Sequence, residues 1–185
     1  MKKYKAMKND KAYIFKITLD LSNFMLTEGK VNRKILKANE PPLREIAMLG
    51  RHSLYQFAEA ITGSFGFMFD HCFGFFDNLQ NWIKSEEVYE LFKDIGEECE
   101  PWAKGVKKTK IKDVFSEKGK TMLFYFDYGD DWKFMVTIIE IIPAQEGKSY
   151  PVLLSRSGID PEQYPPCVKL GSQFLAESSR LKGER

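Results

Sequence analysis

Three carboxylates stand close together in the run Phe126-Asp127-Tyr128-Gly129-Asp130-Asp131-Trp132. Clustered oxygen ligands of this kind are what Mg²⁺ or Ca²⁺ requires. The same residues also make turns, because Asp bonds the backbone N–H groups that follow it and Gly tolerates positive φ. The run lacks the ligand count of a calcium loop, so turn chemistry is the more economical account of Asp127, Asp130 and Asp131. His71-Cys72 offers an imidazole and a thiol, which suit Zn²⁺. Neighbours on a strand point to opposite faces, and His52, Cys99 and Cys167 are distant and not in paired spacing. The sequence therefore predicts no bound metal and no cofactor. Lys104, Lys107, Lys108, Lys110 and Lys112 form the densest basic cluster, a surface for weak nucleic-acid contact on a chain whose formal net charge is only +2. Solvated connector charge is the plainer reading. Gly63-Ser64-Phe65-Gly66 has the form of a loop that clamps nucleic-acid backbone. It carries no basic residue between its glycines and is better explained as a helix end.

Catalytic signatures are absent. The chain has no phosphate-binding loop ending in Gly-Lys-Ser or Gly-Lys-Thr, no Gly-x-Ser-x-Gly and no His-Glu-x-x-His. A nucleophilic triad would need His52 or His71 as its base, and no spacing sets either beside a nucleophile.

The elements that must position these groups begin with Thr121 to Ile142. Met122, Phe124, Phe126 and Tyr128 alternate on one face of an extended chain. Trp132, Phe134, Val136 and Ile138 resume the period-two pattern, with Met135, Thr137, Ile139 and Ile141 on the other side. The break at Tyr128-Gly129-Asp130-Asp131 makes this an antiparallel hairpin. Its second strand is apolar on both faces and belongs inside a sheet. Tyr13 to Leu19 alternates as a strand with one buried face, and Val31 to Ala38 reads as a second strand pairing with it. Asn39-Glu40-Pro41-Pro42 stops regular structure. Ser53 with Gln56 forms a capping box before the helical stripe Leu54, Phe57, Ala58, Ile61 and Phe65. His71 to Phe76 is a third strand. Ser85 caps a second helix through Val88, Leu91, Phe92 and Ile95, which Gly96 ends, and Thr109 caps a short third helix. After Pro143 the pattern fades, and the prolines favour an extended, packed loop.

At 185 residues with 43% hydrophobic content and 15 Phe, the chain suffices for one domain with a substantial core. The reading is a single domain over 1–185, with its core at about 12–166, a loose basic segment at 1–11 and a loose tail at 172–185. Three Cys without close pairs fit a reducing cytoplasm. No apolar run approaches the ~20 residues needed to span a bilayer.

The run 126–132, set after a short helix and before an aliphatic strand, resembles the Tyr-Asp-Phe-Gly-Asp-x-Trp signature of the plasmid pRiA4b ORF-3-like family. Ser53-Leu54 through Phe65-Gly66-Phe67 to Asp70-His71 is similar to the family's helix, its Phe-Gly-Trp end and the His that follows. Tyr150-Pro151 and Asp160-Pro161-Glu162-Gln163-Tyr164-Pro165-Pro166 resemble its C-terminal segments. The resemblance implies an accessory role around mobile DNA in some relatives.

Together these features predict an α+β fold: one domain, with a mixed, mainly antiparallel sheet and two or three helices packed on it. The leading functional expectation is a non-enzymatic binding or interaction module. The alternative is a metal-assisted enzyme using Asp127, Asp130 and His71. The candidate functional residues are Asp127, Asp130, Trp132, His71 and Glu162.

Overall fold

The structure, a computed structural model, describes residues 2–21, 30–38 and 40–164. The predicted C-terminal tail, with Pro165, Pro166 and Cys167, lies outside the described residues, as does most of the connection after Leu21. The described residues form ten strands and four α-helices in the order β1 (Tyr4–Lys5), β2 (Lys11–Leu19), α1 (Lys30–Ala38), β3 (Leu43–Leu49), α2 (Leu54–Ser64), β4 (Phe73–Phe76), β5 (Val88–Glu90), α3 (Leu91–Ile95), β6 (Lys104–Gly105), α4 (Ile111–Val114), β7 (Thr121–Phe126), β8 (Trp132–Pro143), β9 (Ser149–Tyr150) and β10 (Val152–Ser157). Eight strands form one open sheet in the order β10-β3-β2-β8-β7-β4-β5-β6. Every pairing in it is antiparallel except β5 with β6. The fold is α+β with a mixed, mostly antiparallel sheet, as the alternation predicts.

The hairpin β7–β8 lies at the centre, with β8 between β2 and β7. Its inner face carries Met122, Phe124, Phe126, Trp132, Phe134, Val136 and Ile138. These pack against Leu54, Phe57 and Ile61 of α2 and against Ile111 and Val114 of α4. The opposite, outer face has two covers. Tyr150 of the ribbon β1–β9 packs with Ala12, Ala47 and Leu49 at one end, and Val88, Ala103 and Tyr125 form a small core at the other. A bulge between Ile14 and Phe15 leaves Ile139 without a partner on β2. One extra residue reverses the alternation beyond it, so Ile141 packs with the inner core, not with Met135 and Thr137 as strict alternation predicts.

Several expectations are corrected. The predicted strand Val31–Ala38 is the helix α1. Its buried residues Asn32 and Ile35 stand three apart, which is helical spacing. The strand that pairs with β2 is β3, in a stretch with no clean alternation, because a strand lying between β2 and β10 is buried on both sides. The predicted helix after Ser85 is a strand, β5, followed by the short helix α3, which ends at Gly96 with φ 80°. Ser85 accepts a hydrogen bond from the Asn78 N–H instead of capping a helix. Lys110, not Thr109, stands at the start of α4. The third strand begins at Phe73, not His71. Residues 152–157, read as loop, form the edge strand β10. The N-terminal segment expected to fray pairs through Tyr4 and Lys5 with β9, and Ala6 is buried. The Ser53–Gln56 capping box forms as predicted.

Trp132 is 1% exposed, with its ring centroid 4.6 Å from that of Phe67. Trp132→Ala is expected to lower unfolding free energy by about 3–5 kcal/mol, as large aromatic truncations in cores do. Asp131→Asn retains a side chain that tolerates left-handed backbone but loses the charge that pairs with Lys133, and is expected to lower stability by up to about 1 kcal/mol. Denaturant melts measure both. A Trp132→Ala protein as stable as the parent would place the ring outside the core.

Candidate functional site

The hairpin pairing closes at Phe126 opposite Trp132, which leaves a five-residue loop, Asp127 to Asp131. The left-handed positions are Asp127 (φ 56°) and Asp131 (φ 58°), not Gly129. Asp is among the few non-Gly residues that settle there. Asp127 Oδ1 accepts from the N–H groups of Gly129 and Asp130, both at 3.2 Å, and the Asp127 carbonyl accepts from Asp131 at 2.8 Å. Turn chemistry therefore accounts for much of the acidic loop, through a different residue from the expected glycine.

The other Asp127 oxygen, Oδ2, lies 3.4 Å from His71 Nδ1. Asp70 Oδ1 lies 2.9 Å from the same nitrogen, and the Tyr164 hydroxyl stands 3.3 Å from it while donating to Asp70 at 3.1 Å. With two carboxylates converging on Nδ1, that nitrogen carries the proton in the neutral ring. The bond to Asp70, with the charges of Asp127 and Asp130, raises the His71 pKa. The same bond lowers Asp70. Burial and the adjacent Asp127 raise Asp130. Burial and the bond to Asp70 push Tyr164 up to about 12. Of the residues singled out in the sequence, His71, Asp127 and Asp130 lie together here, joined by Asp70 and Tyr164, which were not among the candidates. Tyr164 arrives because Gln163 exchanges hydrogen bonds with the Met68 backbone and Asn32 clasps the Glu162 backbone. Both clamps join residues about a hundred positions apart, which no local pattern reveals. Among the described residues the Glu162 side chain contacts neither His71 nor Asp130, and its Oε2 is buried without a hydrogen-bond partner. Trp132 lies in the core, away from this exposed cluster.

Chemically the cluster is an oriented imidazole with no Cys or Ser nucleophile beside it among the described residues. Cys72 faces the other way, where burial and Glu97 raise its thiol pKa. Among the described residues, no group of three or more His, Cys, Asp or Glu could hold a metal ion. The Gly63–Gly66 loop ends α2 at Gly66, φ 81°, with Phe65 turned into the core under the Arg44 guanidinium. Lys104 lies on the edge strand β6, where lysine discourages further strand pairing. Lys107, Lys108 and Lys112 are exposed beside it, and Lys110 is half-buried.

The outer face of the same hairpin end carries a feature that sequence reasoning did not find. Tyr125, Gly74 and Glu90 lie side by side across β7, β4 and β5. Tyr128 lies across this row, and its hydroxyl donates to Glu90 Oε1 at 2.9 Å. Gly74 makes the crossing possible, since a Cβ there would stand 2.9 Å from the Tyr128 oxygen and 2.7 Å from the Phe76 ring. Tyr128 stacks on Phe92 at 5.3 Å and 18°, with Tyr125 and Trp82 at 4.7 and 5.7 Å. These rings, with Glu90, Glu98, Cys99, Glu100 and Pro101, line a cavity of ≈ 630 Å³. Glu90 is 5% exposed, and burial together with Glu100 raises its pKa.

An open, mostly antiparallel sheet with helices on its inner face and an acidic-aromatic hairpin turn at its centre defines an α+β protein with two distinct side-chain clusters, one on either side of that turn. The sequence profile of plasmid pRiA4b ORF-3-like proteins matches residues 30–164, and the chain belongs to that family. No curated protein matches it. Among solved structures, a protein of unknown function from Methanosarcina mazei Go1 is similar over 80% of this chain and 70% of its own, with a TM-score of 0.56 and 18% sequence identity. That likeness shows the fold.

The two histidines of this chain should titrate in opposite directions from the ordinary value of 6.5. His52 is sealed in, its Nε2 without a partner among the described residues, and burial lowers its pKa to about 4. The unfolded chain takes up that proton first as pH falls, so stability should drop by up to about 3 kcal/mol between pH 6.5 and about 4. His52→Gln should flatten that slope. The raised pKa of His71 acts with the opposite sign: its stabilisation is present below pH 6.5 and is lost as pH rises through its folded value. NMR titration of the two imidazoles checks both, and a His52 midpoint near 6.5 would mean that the ring is hydrated.

Gly74→Ala tests the crossing of Tyr128. Alanine in a strand normally stabilises by up to about 1 kcal/mol over glycine. Here overpacking against Phe76 and Tyr128 is expected to reverse the sign and cost about 1–3 kcal/mol. A stabilised Gly74→Ala protein in a denaturant melt would mean that Tyr128 does not lie over β4.

Proposed function

We propose that this protein is a non-enzymatic binding module of the cytoplasm, whose ligand enters the outer-face cavity at the hairpin end, and that it serves in an accessory role around mobile DNA. The observation that carries the reading is the ring-lined cavity with buried Glu90 at its wall. An apolar, concave lining with a few placed polar groups is the usual form of a ligand site. Free Cys72 and Cys99 fit a reducing compartment, and among the described residues no helix is long and apolar enough to cross a membrane. The role around DNA rests on the family alone, with the lysines of 104–112 as its contact surface.

A second reading, a metal-assisted enzyme using Asp127, Asp130 and His71, is favoured by one observation, the 3.4 Å approach of Asp127 to His71. The carboxylate's other oxygen already holds the loop, which leaves little donor capacity for an ion.

A fragment screen by ¹H–¹⁵N correlation spectra tests the choice. Shifts are expected to gather on the Trp82 indole and on residues 90–100 and 125–129, while Mg²⁺ leaves His71 and Asp130 unmoved. Mg²⁺-dependent shifts at 70–71 and 127–130, accompanied by phosphodiester turnover, would make the enzyme the better reading. Any DNA complex should be sequence-indifferent and gone by about 200 mM salt. A nanomolar complex that survives there would make nucleic acid the principal ligand.

A further inference from the structure

The cavity between Trp82, Phe92, Tyr125 and Tyr128 has a chemical bias beyond being apolar. Its polar lining is acidic: Glu90 in the wall and Glu98 and Glu100 at the exposed rim, with no Lys, Arg or His among the lining residues. Among the described residues none of these carboxylates is paired with a cation. The groups acting on Glu90 are its own burial, the Tyr128 hydroxyl and the like charge of Glu100. A carboxylate sealed from water ordinarily has a counter-charge or a full set of donors. Glu90 has one donor, Tyr128. The neighbouring ring shows what this array accepts. Lys133 Nζ stands 4.7 Å from the Tyr125 centroid and pairs with Asp131 at 2.6 Å, a cation held between a ring face and a carboxylate. Across the rest of the cavity the rings and carboxylates are present, and among the described residues no cation stands against Trp82, Phe92 or Tyr128.

We infer that the cavity binds an alkylated ammonium group, its alkyl substituents against Trp82, Phe92 and Tyr128 and its charge offset by Glu90, Glu98 and Glu100. This rests on the binding-module reading and names its ligand class. Aromatic faces attract such cations through their quadrupoles, and alkylation lowers the desolvation cost that a bare ammonium would meet between rings. The volume, ≈ 630 Å³, exceeds a single trimethylammonium head, so the group arrives with more of its molecule attached. A free quaternary amine and the methylated lysine of a peptide share this chemistry.

Choline and 3,3-dimethyl-1-butanol, its neutral carbon isostere, separate charge from shape. The full chain carries three Trp, so three indole N–H signals report the outcome. Choline is expected to move the Trp82 indole saturably, leave buried Trp132 in place, and bind at least about tenfold more tightly than the isostere, the difference a cation between rings and carboxylates supplies. The double variant Glu98→Gln, Glu100→Gln alters exposed residues and should fold. It is expected to weaken choline about threefold or more and leave the isostere unchanged. Phe92→Leu should weaken both. A trimethyl-lysine peptide binding about tenfold better than choline assigns the cation to a protein tail, and equal binding assigns it to a free amine. Equal affinity for choline and the isostere overturns the cationic ligand while the cavity stays a binding site. Silence of Trp82 toward choline up to about 100 mM, a concentration that would reveal even a Kd in the tens of millimolar, also overturns it. The binding-module reading falls separately, if no fragment moves the residues around the cavity.

Discussion

A carboxylate almost sealed from water must direct its lone pairs at donors, and Asp127 does so on both sides of the hairpin end. Oδ1 takes two N–H groups of its own loop, Oδ2 faces His71, and the backbone sits in the left-handed region that lets a five-residue loop join Phe126 to Trp132. The Asp127 N–H extends the ladder to β4 by donating to Cys72 at 3.0 Å. Much else at this end follows. Trp132 is held facing the core, Tyr128 is sent outward across Gly74, and His71 is fixed above the inner end of β4. The charge of one residue thus couples an inner aromatic core to an outer aromatic cavity.

A second buried charge plays the corresponding part at the other end of the sheet. Arg44 is fully buried on β3. Its guanidinium donates to the Ser64 carbonyl at the end of α2, to the Leu43 and Ser157 carbonyls and to the Asp160 carboxylate, with the Phe65 ring 4.4 Å away. The planar fork suits such a junction, since it satisfies several acceptors at once and places positive charge at a helix C-terminus. It also ties β10 and the segment leading to Tyr164 onto the sheet. The exposed His71 cluster therefore depends on a buried ion on the far side of β2 and β8.

These two charges mark where the sequence was legible and where it was not. The hairpin, the Ser53 cap and the helical stripe through Phe57 and Ile61 are local signals, and the structure carries them. Leu43–Leu49 carries Arg44 and Glu45 among its apolar residues and shows no clean alternation, so a strand buried on both faces went unread. In α1, Asn32 is buried because Glu162 needs its amide, a partner 130 positions away. Val88 to Ile95 fits a helical wheel, but Val88 to Glu90 is claimed by β4, since a tertiary ladder outweighs a weak local preference. Of the site, His71, Asp127 and Asp130 were singled out in the sequence, whereas Asp70, Tyr164, Glu90 and the glycine that opens the outer cavity were not. Gly74 matters through the absence of a side chain, and only the neighbours of that gap give it meaning.

The order of the two aromatics around Asp127 follows from the two faces. Phe126 is fully buried, with the rings of Phe69, Phe124 and His71 within 6.3 Å of its own. A phenolic hydroxyl at that depth would need an acceptor among rings, and a buried donor left unmade costs about 1–3 kcal/mol. The signature that 126–132 resembles has Tyr first and Phe second. This chain reverses them, which puts the hydroxyl on the outer face, where Gly74 clears its path and Glu90 accepts it. Glu90 and Tyr128 therefore require each other. Without the phenol, a carboxylate lying between β4 and β6 would lose the hydrogen bond that lowers its pKa against the rise that burial causes. Without the carboxylate, the phenol would cover Gly74 with its own polar atom unmatched. The donor of the buried Glu90 carboxylate is thus a consequence of which of the two aromatics flanking Asp127 carries an oxygen.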